Sequence, residues 1–255
     1  MLINPIHQQY IYLKWDKMEP TLPARGNITE IQMTQQITPI RLPLPLNFTN
    51  VNSYLVRTDQ GFFLIDTGMT NARRQLEMAL DHLCCHPGDL KLILLTHGDF
   101  DHTGNATYIR EKFNTQIAMH EGDAGMLENG DMFWNRKIKS SLLKKLLPLF
   151  IRFGEKEQCT PDILLKDGDS LGRYGLEAQV LNTPGHSSGS ICLLTDSGDL
   201  FCGDLLANSA DKPMLNSMMY DPEAGKFSFE RLKTMPIQTV YPGHGQPFLW
   251  ADLVK

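Results

Sequence analysis

Apolar and polar positions change period several times along the chain. From Ile28 to Asp66 the pattern is strand-like, with Gln35–Ile40, Asn52–Arg57 and Phe62–Ile65 as strands and Asp59-Gln60-Gly61 as the hairpin turn between the last two. Between Thr70 and Cys84 the apolar residues Leu76, Ala79, Leu80 and Leu83 share one helical face, and Thr70 and Asn71 are expected to cap it. Lys91–Leu95 is a short, nearly continuous apolar run, which fits a strand buried on both faces, and Thr103–Phe113 reads as a helix. The stretch 122–161 has few strand signals and many basic residues, with Ile138, Leu142, Leu146 and Phe150 repeating every four positions around Pro148, so helices kinked at the proline are expected. Strands return at Leu176–Leu181, Ser190–Leu194, Leu200–Cys202 and Thr239–Tyr241, with a turn at 195–198. Strands followed by helix, twice over, imply two similar halves packed sheet against sheet with helices outside.

Composition narrows this picture little. The 255 residues suit a single domain, 1–255, with 122–161 as a helical insertion or lid. With 42% hydrophobic and 21% charged residues the chain is an ordinary globular protein. A formal charge of −5 argues against a nucleic-acid partner, which calls for clustered Lys and Arg. Five cysteines without a C-x-x-C pair indicate reduced thiols rather than a disulfide framework or a cysteine zinc knuckle. No run approaches the roughly 20 apolar residues of a membrane span, so no integral membrane association and a cytoplasmic location are expected.

Chemistry concentrates at the strand ends. Thr96-His97-Gly98-Asp99-Phe100-Asp101-His102 puts four metal-ligand candidates within six residues, directly after the apolar strand. Imidazole and carboxylate without cysteine suit a catalytic zinc, iron or manganese site better than a structural sulfur site. Three further segments, Thr183-Pro184-Gly185-His186, Phe201-Cys202-Gly203-Asp204 and Tyr241-Pro242-Gly243-His244, each set a candidate ligand next to glycine, where backbone can approach an ion closely. Asp66-Thr67-Gly68 is a fifth strand-end motif.

In type and order these five motifs resemble the metallo-β-lactamase superfamily over Asn52 to Pro247. The resemblance implies an α/β fold, a four-layer αββα sandwich with the metal site at the edge between the two sheets. It implies one divalent ion held by His97, Asp99 and His186, a second held by Asp101, His102 and His244, and Asp204 bridging them. Asp66 would support the site by hydrogen bonding rather than by ligation. The family's H-x-H-x-D-H pattern is broken here by Asp99 in place of the second histidine. Zinc leads as the expected ion, but the added negative charge makes that position harder, so iron and manganese stand as alternatives. Flavodiiron proteins of the same superfamily carry glutamate there.

The expected activity is hydrolysis of a small-molecule ester-like bond, a thioester, lactone or similar glyoxalase-like substrate, by a metal-bridging hydroxide, with Asp101 orienting or accepting the proton. A flavodiiron-like iron oxidoreductase and a non-catalytic binding module on the same fold are the competing classes. His7, His82, His86 and His120 are read as ordinary surface or core histidines, and Cys202 as packing. The basic stretch Lys137 to Arg152 reads as an amphipathic lid over the pocket, with a membrane or dimer contact and a docked outer helix as other readings; Met132, Phe133 and Trp134 would add apolar contacts.

Overall fold

A computed structural model of the chain describes residues 35–45, 49–136 and 154–254, all within the compact unit Thr34–Lys255. The expectations for Ile28 to Thr34 and for Ile138, Leu142, Leu146, Pro148 and Phe150 lie outside the described residues.

The first sheet has six strands in sequence order: β1 (Gln36–Pro43), β2 (Asn50–Arg57), β3 (Phe62–Ile65), β4 (Leu90–Leu95), β5 (Ile117–His120) and β6 (Ile163–Leu165). β1, β2 and β3 pair antiparallel, whereas β3, β4, β5 and β6 pair parallel. Helices α1 (Arg73–His82), α2 (Phe100–Thr103), α3 (Ala106–Phe113) and α4 (Glu121–Asn129) make up the helical connections of this half. The second sheet is built from β7 (Ala178–Asn182), β8 (Ile191–Thr195), β9 (Asp199–Gly203), β12 (Thr239–Pro242) and β13 (Phe248–Leu249), in the order β13-β12-β9-β8-β7. Between β9 and β12 come the hairpin β10 (Leu206–Ser209) and β11 (Lys212–Leu215), then α5 (Pro222–Leu232); α6 (Trp250–Leu253) closes the described chain.

Alternation along the strands divides the core into three layers, because successive side chains point to opposite faces. Tyr54, Val56, Phe63, Ile65, Leu92 and Leu94 share one cluster with Val180, Ile191, Leu193 and Phe201, so these residues fill the space between the sheets. Their neighbours Val51, Leu55, Leu64, Ile93 and Leu95 point outward onto Leu76 and Leu80 of α1 and Ile109 and Phe113 of α3. Leu181, Cys192, Leu194, Leu200 and Cys202 cover the other sheet's outer face, against Leu232 and Trp250. Helix, sheet, sheet, helix is the αββα sandwich, and β4 is buried on both faces apart from Lys91. Cys202 packs in that outer layer, and all five cysteines are free.

Two local expectations need correction. Neither Thr70 nor Asn71 caps the first helix: a 3₁₀ turn, Thr70–Ala72, precedes α1, no cap side chain bonds its amides, and the Asn71 Nδ2 instead donates to the Pro43 carbonyl. The helix expected over Thr103–Phe113 is two pieces, α2 and α3, broken at Gly104 and Asn105. In the stretch 122–161, the described residues hold α4 followed by turns. Phe133 is buried as an apolar contact, while Trp134 is exposed and lies over Gly125. His120 plays a structural part, since its Nδ1 accepts from the Gly122 amide and caps α4.

The two sheets are stitched together at one edge. The Ile191 amide donates to the Thr96 carbonyl at 2.9 Å, and the Asn52 amide to Gly243 at 2.8 Å. The Tyr54 hydroxyl and the Asn52 side chain both donate to the Pro242 carbonyl. All the ligand-bearing loops open at this edge.

Candidate metal centre

The loop after β4 serves two directions because it changes conformation midway. Asp99 is extended (φ −73°, ψ 148°) and α2 starts at Phe100. His97 leaves from the bend directly after β4, Asp99 from the extended residue before α2, and Asp101 and His102 from the first helical turn. His97, Asp99 and His186 bring one donor atom each within 4.8 Å of one another, and so do Asp101, His102 and His244. A third group, His97, His102 and Asp204, joins the two. The seven residues singled out by sequence therefore converge. His97, Asp99, His102, His186 and Asp204 are buried; Asp101 and His244 are partly exposed.

Every one of the four histidines is held by Nδ1. His102 Nδ1 lies 2.8 Å from Asp66 Oδ2, His97 Nδ1 3.0 Å from Thr96 Oγ1, His186 Nδ1 2.7 Å from the Met218 carbonyl, and His244 Nδ1 2.9 Å from the Asn50 carbonyl. Carbonyl and carboxylate acceptors fix the proton on Nδ1 and turn Nε2 toward the centre, as metal-ligating histidines are oriented. For His97 the direction follows from Thr96, whose hydroxyl donates to Asp66 Oδ2 at 2.7 Å and so accepts from the ring.

Asp66 stands behind this arrangement and outside the ligand groups. Its Oδ1 accepts from the Thr96 amide and its Oδ2 from Thr96 Oγ1 and His102. It sits at φ 56°, in the left-handed region that Asp and Asn tolerate better than most side chains. Glycine matters at Gly243, where a Cβ would collide with Asp204 Oδ1 and His102 Cε1.

Among the buried polar atoms that lack a hydrogen-bond partner, three belong to the ligand residues: His97 Nε2, His102 Nε2 and Asp204 Oδ1. An unpartnered buried donor or acceptor is costly, about 1–3 kcal/mol each. These three belong to the residues of the joining group, and their chemistry, two imidazoles and a carboxylate, fits a divalent cation.

The buried imidazoles and carboxylates shift one another's protonation. Burial holds His97 well below its ordinary value, helped by His102 and His186. Burial also opposes charge on His102, but Asp204, Asp66 and Asp101 outweigh it and raise the ring well above 6.5. The same contest raises His186, through its bond to Asp99, and lifts His244 to about 10, through Asp204 and Asp101. For Asp204, desolvation is overcome by His102 and His244, which hold the carboxylate well below 3.8; Asp101 is lowered likewise.

Two residues that sequence reasoning missed complete the site. Asp123, fully buried on α4, accepts from the Gly98 amide (3.1 Å), the Gly189 amide (2.8 Å), Ser187 Oγ (2.5 Å) and Asn135 Nδ2 (3.0 Å). It thereby ties the His97 loop to the His186 loop. Arg136, 3% exposed, places Nη2 2.5 Å from Asp99 Oδ1 and 3.5 Å from His186 Nε2, with Tyr220 stacked 4.1 Å from its guanidinium carbon.

With this geometry in view, the kinship is clear: the family model of the metallo-beta-lactamase superfamily matches residues 46–244, and the chain belongs to that superfamily. Among curated relatives, the probable metallo-hydrolase YqjP of Bacillus subtilis is 30% identical over 241 residues, covering 84% of this chain and 73% of that one. The acyl-coenzyme A thioesterase MBLAC2 of Bos taurus is 28% identical over 217 residues, 77% of this chain and 74% of its own. Among solved structures, TTHA1623 in a di-iron-bound form is 27% identical with a TM-score of 0.59, covering 81% of this chain and 93% of that one.

Proposed function

We propose that the chain is a metal-dependent hydrolase that binds two divalent ions, zinc foremost, and cleaves a small-molecule ester-like bond, with acyl thioesters as the leading substrate class. The observation that carries this reading is the convergence of His97, His102 and Asp204, whose Nε2, Nε2 and Oδ1 atoms are buried without a hydrogen-bond partner between the two triads. His97, Asp99 and His186 would hold one ion and Asp101, His102 and His244 the other, with Asp204 between them and Asp66 fixing His102 from behind. Bound ions of this kind supply an acidified water and a Lewis acid for the charge that develops on the substrate.

The chain's own groups do the rest. Asp101 is half-buried at the mouth, its Oδ2 3.3 Å from His244 Nε2, and is the carboxylate placed to orient or accept a proton at that edge. An apolar rim supports an acyl substrate. Met218, whose carbonyl holds His186, is 66% exposed, and Tyr220 and Trp134 on the Arg136 side are also exposed. The relative named as an acyl-coenzyme A thioesterase supports the same class. The net charge of −5 favours a small-molecule partner over nucleic acid. No helix among the described residues is long and apolar enough to cross a membrane.

Metal analysis of protein purified without added metal, followed by assays on acyl thioesters, lactones and phosphodiesters, tests the reading. Two equivalents of zinc or manganese with thioester turnover is the expected result; metal-free protein without turnover on any of the three overturns it. The carboxylate at Asp99 favours a second reading, an iron-dependent oxidoreductase, which iron content with no hydrolysis would select.

A further inference from the structure

We propose that Arg136 is a resident counter-charge that weakens the first metal position, so that the Asp101, His102 and His244 triad fills first and the His97, Asp99 and His186 triad only at higher metal concentration. The inference rests on the metal-dependent reading above and adds an order of loading to it.

The argument starts from how the Asp99 carboxylate is divided. Its Oδ1 faces Arg136 Nη2, while its Oδ2 lies 3.0 Å from His186 Nε2 and 3.9 Å from His97 Nε2. One oxygen is thus turned into the triad and the other is held by a cation already in place. The guanidinium reaches further, since Nη2 is also 3.5 Å from His186 Nε2, itself one of the triad's donor groups. Neither partner is open to screening: the side chains of Arg136 and Asp99 are 1% and 8% exposed. At such separations, out of water, like charges repel strongly.

Among the described residues, the Nε and Nη1 of Arg136 are buried without partners and Asp99 is its only ion-pair partner, while Tyr220 stacks on it. The second triad differs in kind. Among the described residues, Asp101 and Asp204 are ion-paired only with histidines. Among the described residues no guanidinium or ammonium pairs with the second triad, whereas the Arg136 guanidinium keeps its charge throughout. An ion entering the first triad must share Asp99 with that permanent cation, and one entering the second meets no such neighbour.

Titration of chelator-treated protein with Zn²⁺, followed by calorimetry and by metal content after equilibrium dialysis, reads the two steps directly. Wild type is expected to show two steps separated by about tenfold or more. In Arg136→Met the weaker step tightens by about tenfold or more while the tighter one stays put, and Arg136→Lys, which keeps the charge, restores the gap. Should Arg136→Met fail to fold, Asp99→Asn decides the matter: it removes the weaker step and spares the tighter one. An Arg136→Met protein with the weaker step unmoved, or an Asp99→Asn protein that loses the tighter step, overturns the order of loading and leaves the metal reading standing. Wild-type protein that binds no Zn²⁺ overturns both.

Discussion

The two triads of this site draw on one loop and meet at one aspartate, yet they are built on different principles. His97, Asp99 and His186 are buried, tied through Asp123 and faced by a permanent cation. Asp101, His102 and His244 open toward solvent at Asp101 and His244, and among the described residues Asp101 pairs only with histidines. On the proposed order of loading, nearly the same ligand types make two unequal positions according to whether a permanent cation stands beside them.

The largest expected effect comes from the residue common to both. Asp204→Ala should lower metal content at both positions and cut turnover by at least about a hundredfold, more than the loss of a residue that only supports a ligand. Unchanged metal content in that variant would contradict a bridging role. Asp66→Asn should act most on the second triad, weakening metal binding there about 10–100-fold through His102, with a smaller effect on His97 through Thr96 and with the backbone undisturbed because Asn also tolerates φ 56°. Asp123→Asn should act on the other side. Its amide cannot accept from all four present donors, so chemical denaturation should show a loss of about 1–3 kcal/mol. The smallest effect is on pH dependence without metal. The raised His244 contributes stability that is complete below its unfolded value near 6.5 and is lost as pH rises through about 10. Thermal melts in chelator should therefore decline from pH 7 to pH 10, and a flat profile would show that its pairs with Asp101 and Asp204 are not made.

Much of this was readable in the chain because the ligands sit in short motifs at the ends of strongly apolar strands. Lys91–Leu95, and the turn ending at Gly61 with φ 136°, were legible for the same local reason. Arg136 was not: its bond to Asp99 joins positions 37 residues apart, and nothing near Arg136 in sequence carries a ligand signature. Asp123 was hidden likewise, in the stretch 122–161, whose pattern reads only as a helical insertion or lid. Strands β5 and β6, only four and three residues long, lack the length for a periodic signal. Helix α5 did carry an Asp221 cap and Pro222 at its start, but Phe227, one of its two phenylalanines, faces solvent and blurs the apolar stripe.

The placement of the ligand loops has one more consequence. Asp66 and the 97–102 loop belong to the first sheet, while His186, Asp204 and His244 belong to the second. An ion held between them would work as a rivet through two plates, opposing any sliding of one layer over the other at this edge. The main-chain and side-chain bonds across the seam and the apolar layer behind it are the remaining ties.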